Sequence, residues 1–434
     1  GRNGIERTFD KGLRGSTGNM KVEVNAVGRV IRELERQDAT QGTPVQLSID
    51  LELQRYAAGR LSGESGSVVV IDTRNGDILA QTSMPAYDPN DFNTGISTAK
   101  WQGLITDKRK PLVDKAVAGQ YPPGSTFKMI VAMAALEAGV IDPDHKVNCL
   151  GKKELGNHTF HCWKRQGHGT LNLVEAIQHS CDIYLYDIAD RVGIEKIAEM
   201  ARRFGLGSRP DIPIPGVSDG LVPTPGWKLA TQGVRWQRGE TWIAGIGQGY
   251  LSSTPLQLAI MTARIASGRG DLAPHLTLNR EPSPMGNAEQ KPSPPLVDEA
   301  ILNVVRQGMI EVTTNPRGTA YRARIREKGY SMAGKTGTAQ VRRITKAERE
   351  EGIRDNEEKP WKERDHALFV GYGPIEDPRY AVAVVIEHGG SGSSAAAPVA
   401  RDVLLEAMRR QSGRPPGSPE SAPDEAQPGP AIEV

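Results

Sequence analysis

Apolar, β-branched runs lie near both ends of the chain, Ser67–Thr73 (SVVVIDT) and Tyr380–Glu387 (YAVAVVIE), and the stretch between them is largely helical in pattern. Runs of this composition are strand signals. Strands at both ends of a helical block predict one α/β unit in which the N- and C-terminal strands share a sheet. The first run is followed by Asp77–Met84 across Arg74-Asn75-Gly76, and Asn-Gly between β-rich segments predicts a hairpin. Two more late strands are expected at Gly334–Val341 and Ala367–Tyr372.

Helices are expected in the block between. One starts from an N-capping Ser48, with Leu51, Tyr56 and Leu61 on one face. Another follows the turn Pro122-Pro123-Gly124 and ends at Gly139. Leu173–Val192, Glu195–Phe204, Thr254–Ala266 and Val297–Thr313 read as further helices, and a last one runs from near Ala397 to about Gln411. The 434 residues exceed the ~150 typical of one domain. Residues 1–44 read as the end of a separate, extended module, 45–411 as the catalytic unit, and 412–434 as a disordered Pro/Ser/Glu/Ala tail. The charged run RRITKAEREEGIRDNEEKPWKERD reads as a solvated, mobile loop.

Composition excludes some functions. A net charge of +2, with no basic cluster interleaved with aromatics, gives no reason to expect nucleic acid. No apolar run reaches the ~20 residues that a membrane-spanning helix needs. The opening GRNGIERTFD, without Met, reads as the start of a processed or truncated chain, so the lack of a signal peptide does not argue for a cytoplasmic home.

Three short motifs carry chemistry. Ser125-Thr126-Phe127-Lys128 is an S-x-x-K at a helix start, a spacing that puts both side chains on one helix face. A serine hydroxyl is a weak nucleophile that needs a neighbouring base, and a helix N-terminus offers free N–H groups to an oxyanion. Ser180-Cys181-Asp182 and Lys335-Thr336-Gly337-Thr338 follow in that order. Singly, each is an ordinary helix cap, helix turn or strand start; the order and type of all three together are what point to a site.

The trio resembles the signature of penicillin-binding proteins and serine β-lactamases. The likeness extends through GRNGIERTFDKGLRG, VEVNAVGRVIREL, WKRQGHGTLNL, GIGQGYLSSTPLQL and GKTGTAQ. Within that family the chain is similar to the monofunctional class B members, the penicillin-binding protein 2 subgroup of rod elongation. The resemblance implies an antiparallel sheet flanked by helices, preceded by the C-terminal remnant of a pedestal domain. It also implies D,D-transpeptidation of peptidoglycan stem peptides. Ser125 would attack the penultimate D-Ala carbonyl and form an acyl-enzyme, as it would with β-lactam antibiotics. Lys128 would take the proton, once desolvation and the charge of Lys335 favour its neutral form. Ser180 would relay that proton. Lys335, Thr336 and Thr338, with Gly337 between, would bind the substrate carboxylate, and the N–H groups of Ser125 and Thr338 would form the oxyanion hole. Asp182 stands where most of the wider family has Asn, and an ionised Asp182 would hold Lys128 charged.

No glutamate motif for activating a deacylating water stands out, which argues against a β-lactamase. The remaining alternatives are a D,D-carboxypeptidase, which transfers to water, and a non-enzymatic β-lactam sensor or scaffold. Cys149, Cys162, His168 and Cys181 form C-x12-C-x5-H-x12-C, a donor set that suits a structural zinc. A Cys149–Cys162 disulfide or buried free thiols are the alternatives, with His158 and His161 as spare ligands. Some relatives resemble this arrangement, with zinc on Asp, His and Cys. The resemblance further implies an inner-membrane anchor, a periplasmic catalytic domain, a SEDS-family glycosyltransferase partner and the elongation scaffold protein MreC.

Overall fold

The structure, a computed structural model, describes residues 3–93, 95–278, 296–342, 348 and 355–412. The tail from 413, and the charged run at 343–354 apart from Glu348, lie outside the described residues. At the N-terminus two short helices, Gly4–Thr8 and Asp10–Arg14, precede an antiparallel hairpin of β1 (Asn19–Val24) and β2 (Val30–Gln37), and β2 is exposed along its whole length.

The two apolar end runs do pair. β3 (Gly66–Asp72) and β4 (Ile78–Met84) form the hairpin, with Gly76 at φ +82° in the turn. Four strands of three or four residues follow: β5 (Val147–Cys149), β6 (Lys152–Leu155), β7 (His158–His161) and β8 (Gly169–Leu171). Late in the chain come β9 (Ala333–Ala339), β10 (His366–Gly373) and β11 (Tyr380–Ile386). The main sheet has the order β4-β3-β11-β10-β9, and its neighbours are all antiparallel. Gly66 lies opposite Ile386 and Asp72 opposite Tyr380, so the sheet closes the chain on itself.

Helices cover both faces of this sheet. Helix α1 (Leu51–Arg60) and the last helix pack together on one side, and Pro255–Ser267 packs on the other. β3 and β11 are therefore buried at every position and read as continuous apolar runs, whereas the edge strand β4 alternates. A fully buried valine contributes about 1.5–3 kcal/mol, so Val68, Val69 and Val70 anchor the centre of the sheet.

Local chemistry corrects several expected boundaries. Asp50, not Ser48, caps α1, accepting from the N–H groups of Glu52 and Leu53. Ser48 instead donates to the Ile78 carbonyl at 2.7 Å, tying the segment to β4. The buried face of α1 is Leu53, Ala57 and Leu61, while Leu51 and Tyr56 are exposed, because the stripe follows i, i+4 spacing. Next come α2 (Lys128–Glu137), α3 (Leu173–Gln178), α4 (Asp182–Val192), α5 (Ile194–Arg203), α6 (Pro255–Ser267), α7 (Glu299–Thr314) and α8 (Ala397–Ser412). α3 and α4 replace the single helix expected over Leu173–Val192. Helices at Thr98–Thr106, Pro225–Gln232 and Arg238–Gly245 were not foreseen, nor were β5 to β8. Strands of three or four residues are too short to show a period.

α7 presses on α3 at a glycine: a Cβ on Gly308 would stand 2.7 Å from the Cβ of Ile177. Gly308→Ala is expected to destabilise the fold by about 2 kcal/mol through overpacking, read as a lowered midpoint in thermal denaturation.

Candidate active site

Ser125 sits in the 3-10 turn Gly124–Phe127 that leads into α2, and it is half-buried. Backbones meet closely around this turn. The Gly124 N–H donates to the Gly247 carbonyl at 2.8 Å, and a Cβ on Gly247 would stand 2.0 Å from the Gly124 oxygen. No side chain fits there, so the GIGQGY loop must carry glycine at that point. A Cβ on Gly124 would likewise approach the Thr338 oxygen to 2.6 Å, which brings β9 against the nucleophile turn.

Lys128, one turn further on, is fully buried. Its Nζ donates to the Ser180 carbonyl at 2.8 Å, the Ser180 hydroxyl at 3.2 Å and the Asp182 carboxylate at 2.7 Å. Three acceptors match the three donors of an ammonium. The break between α3 and α4 makes this possible. Ser180 adopts φ +54°, a left-handed conformation costly for a residue with a Cβ, and this turn aims its carbonyl and hydroxyl at Lys128. Burial pushes the Asp182 carboxyl above the usual carboxylate range, and the Lys128 charge opposes that shift.

In β9, successive residues face opposite sides. Lys335 is buried and points inward, its Nζ donating to the Thr336 carbonyl at 3.0 Å. Burial first, and the Lys128 charge next, hold Lys335 well below the usual lysine range. Thr338, two positions from Thr336 on the same face, is exposed. Its carbonyl accepts Gln248 Nε2 at 3.0 Å, outside the sheet ladder. A strand residue directs its N–H and C=O to the same side, so the Thr338 N–H also points away from the ladder. The Thr336 hydroxyl meets that of Thr319 at 2.9 Å. At the far end of β9, His366 lies opposite Ala339 and packs edge-on against Tyr121 at 5.3 Å.

The four sequence-selected ligands also converge. One donor atom from each of Cys149, Cys162, His168 and Cys181 lies within 4.8 Å of the others, and all three cysteines are free and buried. His168 Nδ1 is 3.6 Å from both the Cys149 and the Cys162 sulfur. The Cys181 thiol, hydrogen-bonded to both, lowers the other two thiols and is itself pushed up. His158 and His161 lie on β7 and are not among the four. The cluster abuts the catalytic turn directly. Cys181 is the residue between Ser180 and Asp182, and the N–H of Trp163, next to Cys162, donates to the Asp182 carboxylate at 2.9 Å.

Trp163, Thr319 and Gln248 all touch the motif residues, and none was picked out from the sequence as a site residue. Trp163 and Gln248 lie in stretches that carry the family likeness, but nothing in those stretches tells which side chain reaches the motif residues; Thr319 lies in no such stretch.

The Gly124–Phe127 turn, a buried lysine–serine–aspartate cluster and a K-T-G-T edge strand thus come together from three separate parts of the chain. Residues 66–405 match the penicillin binding protein transpeptidase domain and residues 1–47 the penicillin-binding protein dimerisation domain, so the chain belongs to the penicillin-binding protein transpeptidase family. It is 38% identical to the peptidoglycan D,D-transpeptidase MrdA of Acinetobacter baumannii, over 91% of this chain and 58% of that protein. It is 36% identical to the Escherichia coli K12 protein of the same name, over 90% of this chain and 62% of that one. The chain therefore spans about three fifths of these relatives' length. Among solved structures, Pseudomonas aeruginosa PBP2 in complex with WCK 5153 matches with a TM-score of 0.78 and 38% identity, covering 94% of this chain and 81% of that one. Helicobacter pylori PBP2 in its complex with MreC matches at 0.82 and 32%, covering 95% and 72%.

Burial holds His366 down at about 4, against 6.5 for an ordinary histidine. Below the higher value the unfolded chain binds a proton that the folded protein refuses, so stability falls as pH drops through that window. A loss of up to about 3 kcal/mol is expected on going from pH 7 to 4, and His366→Gln should reduce it; urea midpoints across that range measure both.

Proposed function

We propose that this chain is the catalytic part of a peptidoglycan D,D-transpeptidase, working through a Ser125 acyl-enzyme. The observation that carries the reading is the meeting of Ser125, the Lys128–Ser180–Asp182 cluster and the outer edge of β9 around one groove. The Ser125 hydroxyl attacks the carbonyl of the penultimate D-Ala and its proton passes into the Lys128 cluster. The N–H groups of Ser125 and Thr338 stabilise the developing oxyanion. Collapse of the tetrahedral species expels terminal D-Ala, which takes a proton through Ser180. The amine of a neighbouring stem peptide then attacks the acyl-enzyme by the reverse route.

The resting arrangement limits how Lys128 can act. With three acceptors on its ammonium it cannot take a proton until one is released. Asp182, pushed up by burial, is the group placed to accept it. The pair then becomes a neutral amine beside a neutral acid, and the lysine lone pair is free for the serine proton. Lys335, turned inward, borders this cluster from β9, while Thr336 and Thr338 face the substrate carboxylate.

The thiol cluster is the second part of the proposal. Four soft donors in one closed, buried set fit a structural zinc, which would be held by Cys149, Cys162, His168 and Cys181. Bound there, the ion would supply cross-linking of β5, the β7–β8 loop and the catalytic turn, with no open position for chemistry. The family resemblance extends the proposal to a membrane-anchored, periplasmic enzyme with a SEDS-family glycosyltransferase partner, and the H. pylori PBP2–MreC complex supports MreC as its scaffold partner. A further neighbour, described as a peptidoglycan synthase complex coordinating polymerization and crosslinking, points to the same partnership.

Intact-mass spectrometry after incubation with a penicillin should show a stable adduct on the wild type and none on Ser125→Ala. Rapid loss of the adduct would instead favour hydrolysis. Asp182→Asn removes the proton acceptor beside Lys128, so the acid limb of the acylation–pH profile should move up by about one pH unit or more. Elemental analysis should find about one zinc per chain, lost in Cys181→Ser together with a fall in melting temperature. A metal-free wild type with unchanged stability under chelation would remove the zinc assignment.

A further inference from the structure

The three catalytic motifs do not by themselves hold Ser180 in its left-handed conformation, since Lys128 approaches it from the buried side alone. The other side is occupied by Trp163. Its indole N–H donates to the His179 carbonyl at 3.0 Å and the Ser180 carbonyl at 3.2 Å, and its backbone N–H to Asp182 Oδ2 at 2.9 Å. Lys128 donates to the same Ser180 carbonyl and to the other oxygen of the same carboxylate, Oδ1. Two groups of the turn are thus clamped between a lysine and a tryptophan.

The exposure of this residue is inverted from what packing would select. The residue is 60% exposed, and its ring meets His168 edge-on at 5.4 Å. A tryptophan kept for apolar burial hides its ring. This one leaves the ring in solvent and uses its two donors on the catalytic turn.

We propose that Trp163 is a positioning residue for acyl transfer, whose indole N–H fixes the Ser180 peptide and so aims the Ser180 hydroxyl and the Lys128 ammonium. The inference rests on the reading of Ser125, Lys128 and Ser180 given above. Without the indole donor, two adjacent carbonyls lose a partner and the strained residue between the helices can relax toward the ordinary right-handed region. The hydroxyl, already at 3.2 Å from Lys128, is then the first contact to lengthen. Substrate affinity rests on Thr336 and Thr338 and should change little. The chemical step should slow.

The test measures penicillin acylation of the full chain with binding and bond formation separated by stopped-flow kinetics. Trp163→Phe keeps an aromatic ring and lacks the donor; 3-benzothienylalanine at position 163 keeps the bicyclic shape and replaces N–H with sulfur. Both are expected to lower the acylation rate constant about tenfold, the size of one lost hydrogen bond, with the dissociation constant within about twofold. An exposed ring predicts melting temperatures close to the wild type's. Acylation at the wild-type rate in both variants overturns the proposal. So does a defect in Trp163→Phe that the benzothienyl isostere restores, since that would make ring shape the cause. A rate loss matched by a fall in melting temperature would make the role structural. A wild type that forms no adduct overturns the acyl-enzyme reading itself, and this inference with it.

Discussion

A single buried ammonium organises the site. Lys128 Nζ reaches the Ser180 carbonyl, the Ser180 hydroxyl and the Asp182 carboxylate, which draws the end of α3 and the start of α4 onto the first turn of α2. A lysine taken out of water is costly unless its charge is paired and its donors are satisfied. The helix break at Ser180 meets that requirement. An unbroken helix from Leu173 to Val192 would keep the Ser180 carbonyl for its own ladder. Local strain in the backbone is thus exchanged for a solvated-like environment around the amine.

The electrostatics of the neighbourhood follow from the same burial. Burial first, and the nearby Lys128 charge next, hold Lys335 well below the usual lysine range, while burial pushes the Asp182 carboxyl up. Such opposed tendencies in a small volume are characteristic of sites that move protons. The cysteine cluster adjoins this network through Cys181, the residue between Ser180 and Asp182.

The sheet was legible from sequence because burial on both faces leaves a continuous apolar run, as in β3 and β11, and because Asn75-Gly76 marks its hairpin. The motif residues were legible as types in order, and the structure brings Ser125, Lys128, Ser180, Asp182 and the β9 residues together. The four zinc-candidate residues also meet as a set. What could not be read was whatever depends on a contact between distant segments. The helix break follows from a lysine 52 positions away, and the role of Gly247 from a backbone oxygen in another loop. The expected cap at Ser48 failed because its hydroxyl had a better acceptor at Ile78 in β4.

The pairing of β3 with β11 also has a consequence in time. Asp72 meets Tyr380, so the central ladder cannot form until nearly the whole domain has left the ribosome. β9, which supplies one wall of the groove, docks on β10, the strand paired with β11. Long-range pairing of this kind is slow and comes after local helices. A nascent chain that already holds the Ser125 turn and the helix begun by Lys128 therefore still lacks β9 beside them, and the surroundings of Ser125 are complete only once β11 and β10 are in place to receive it.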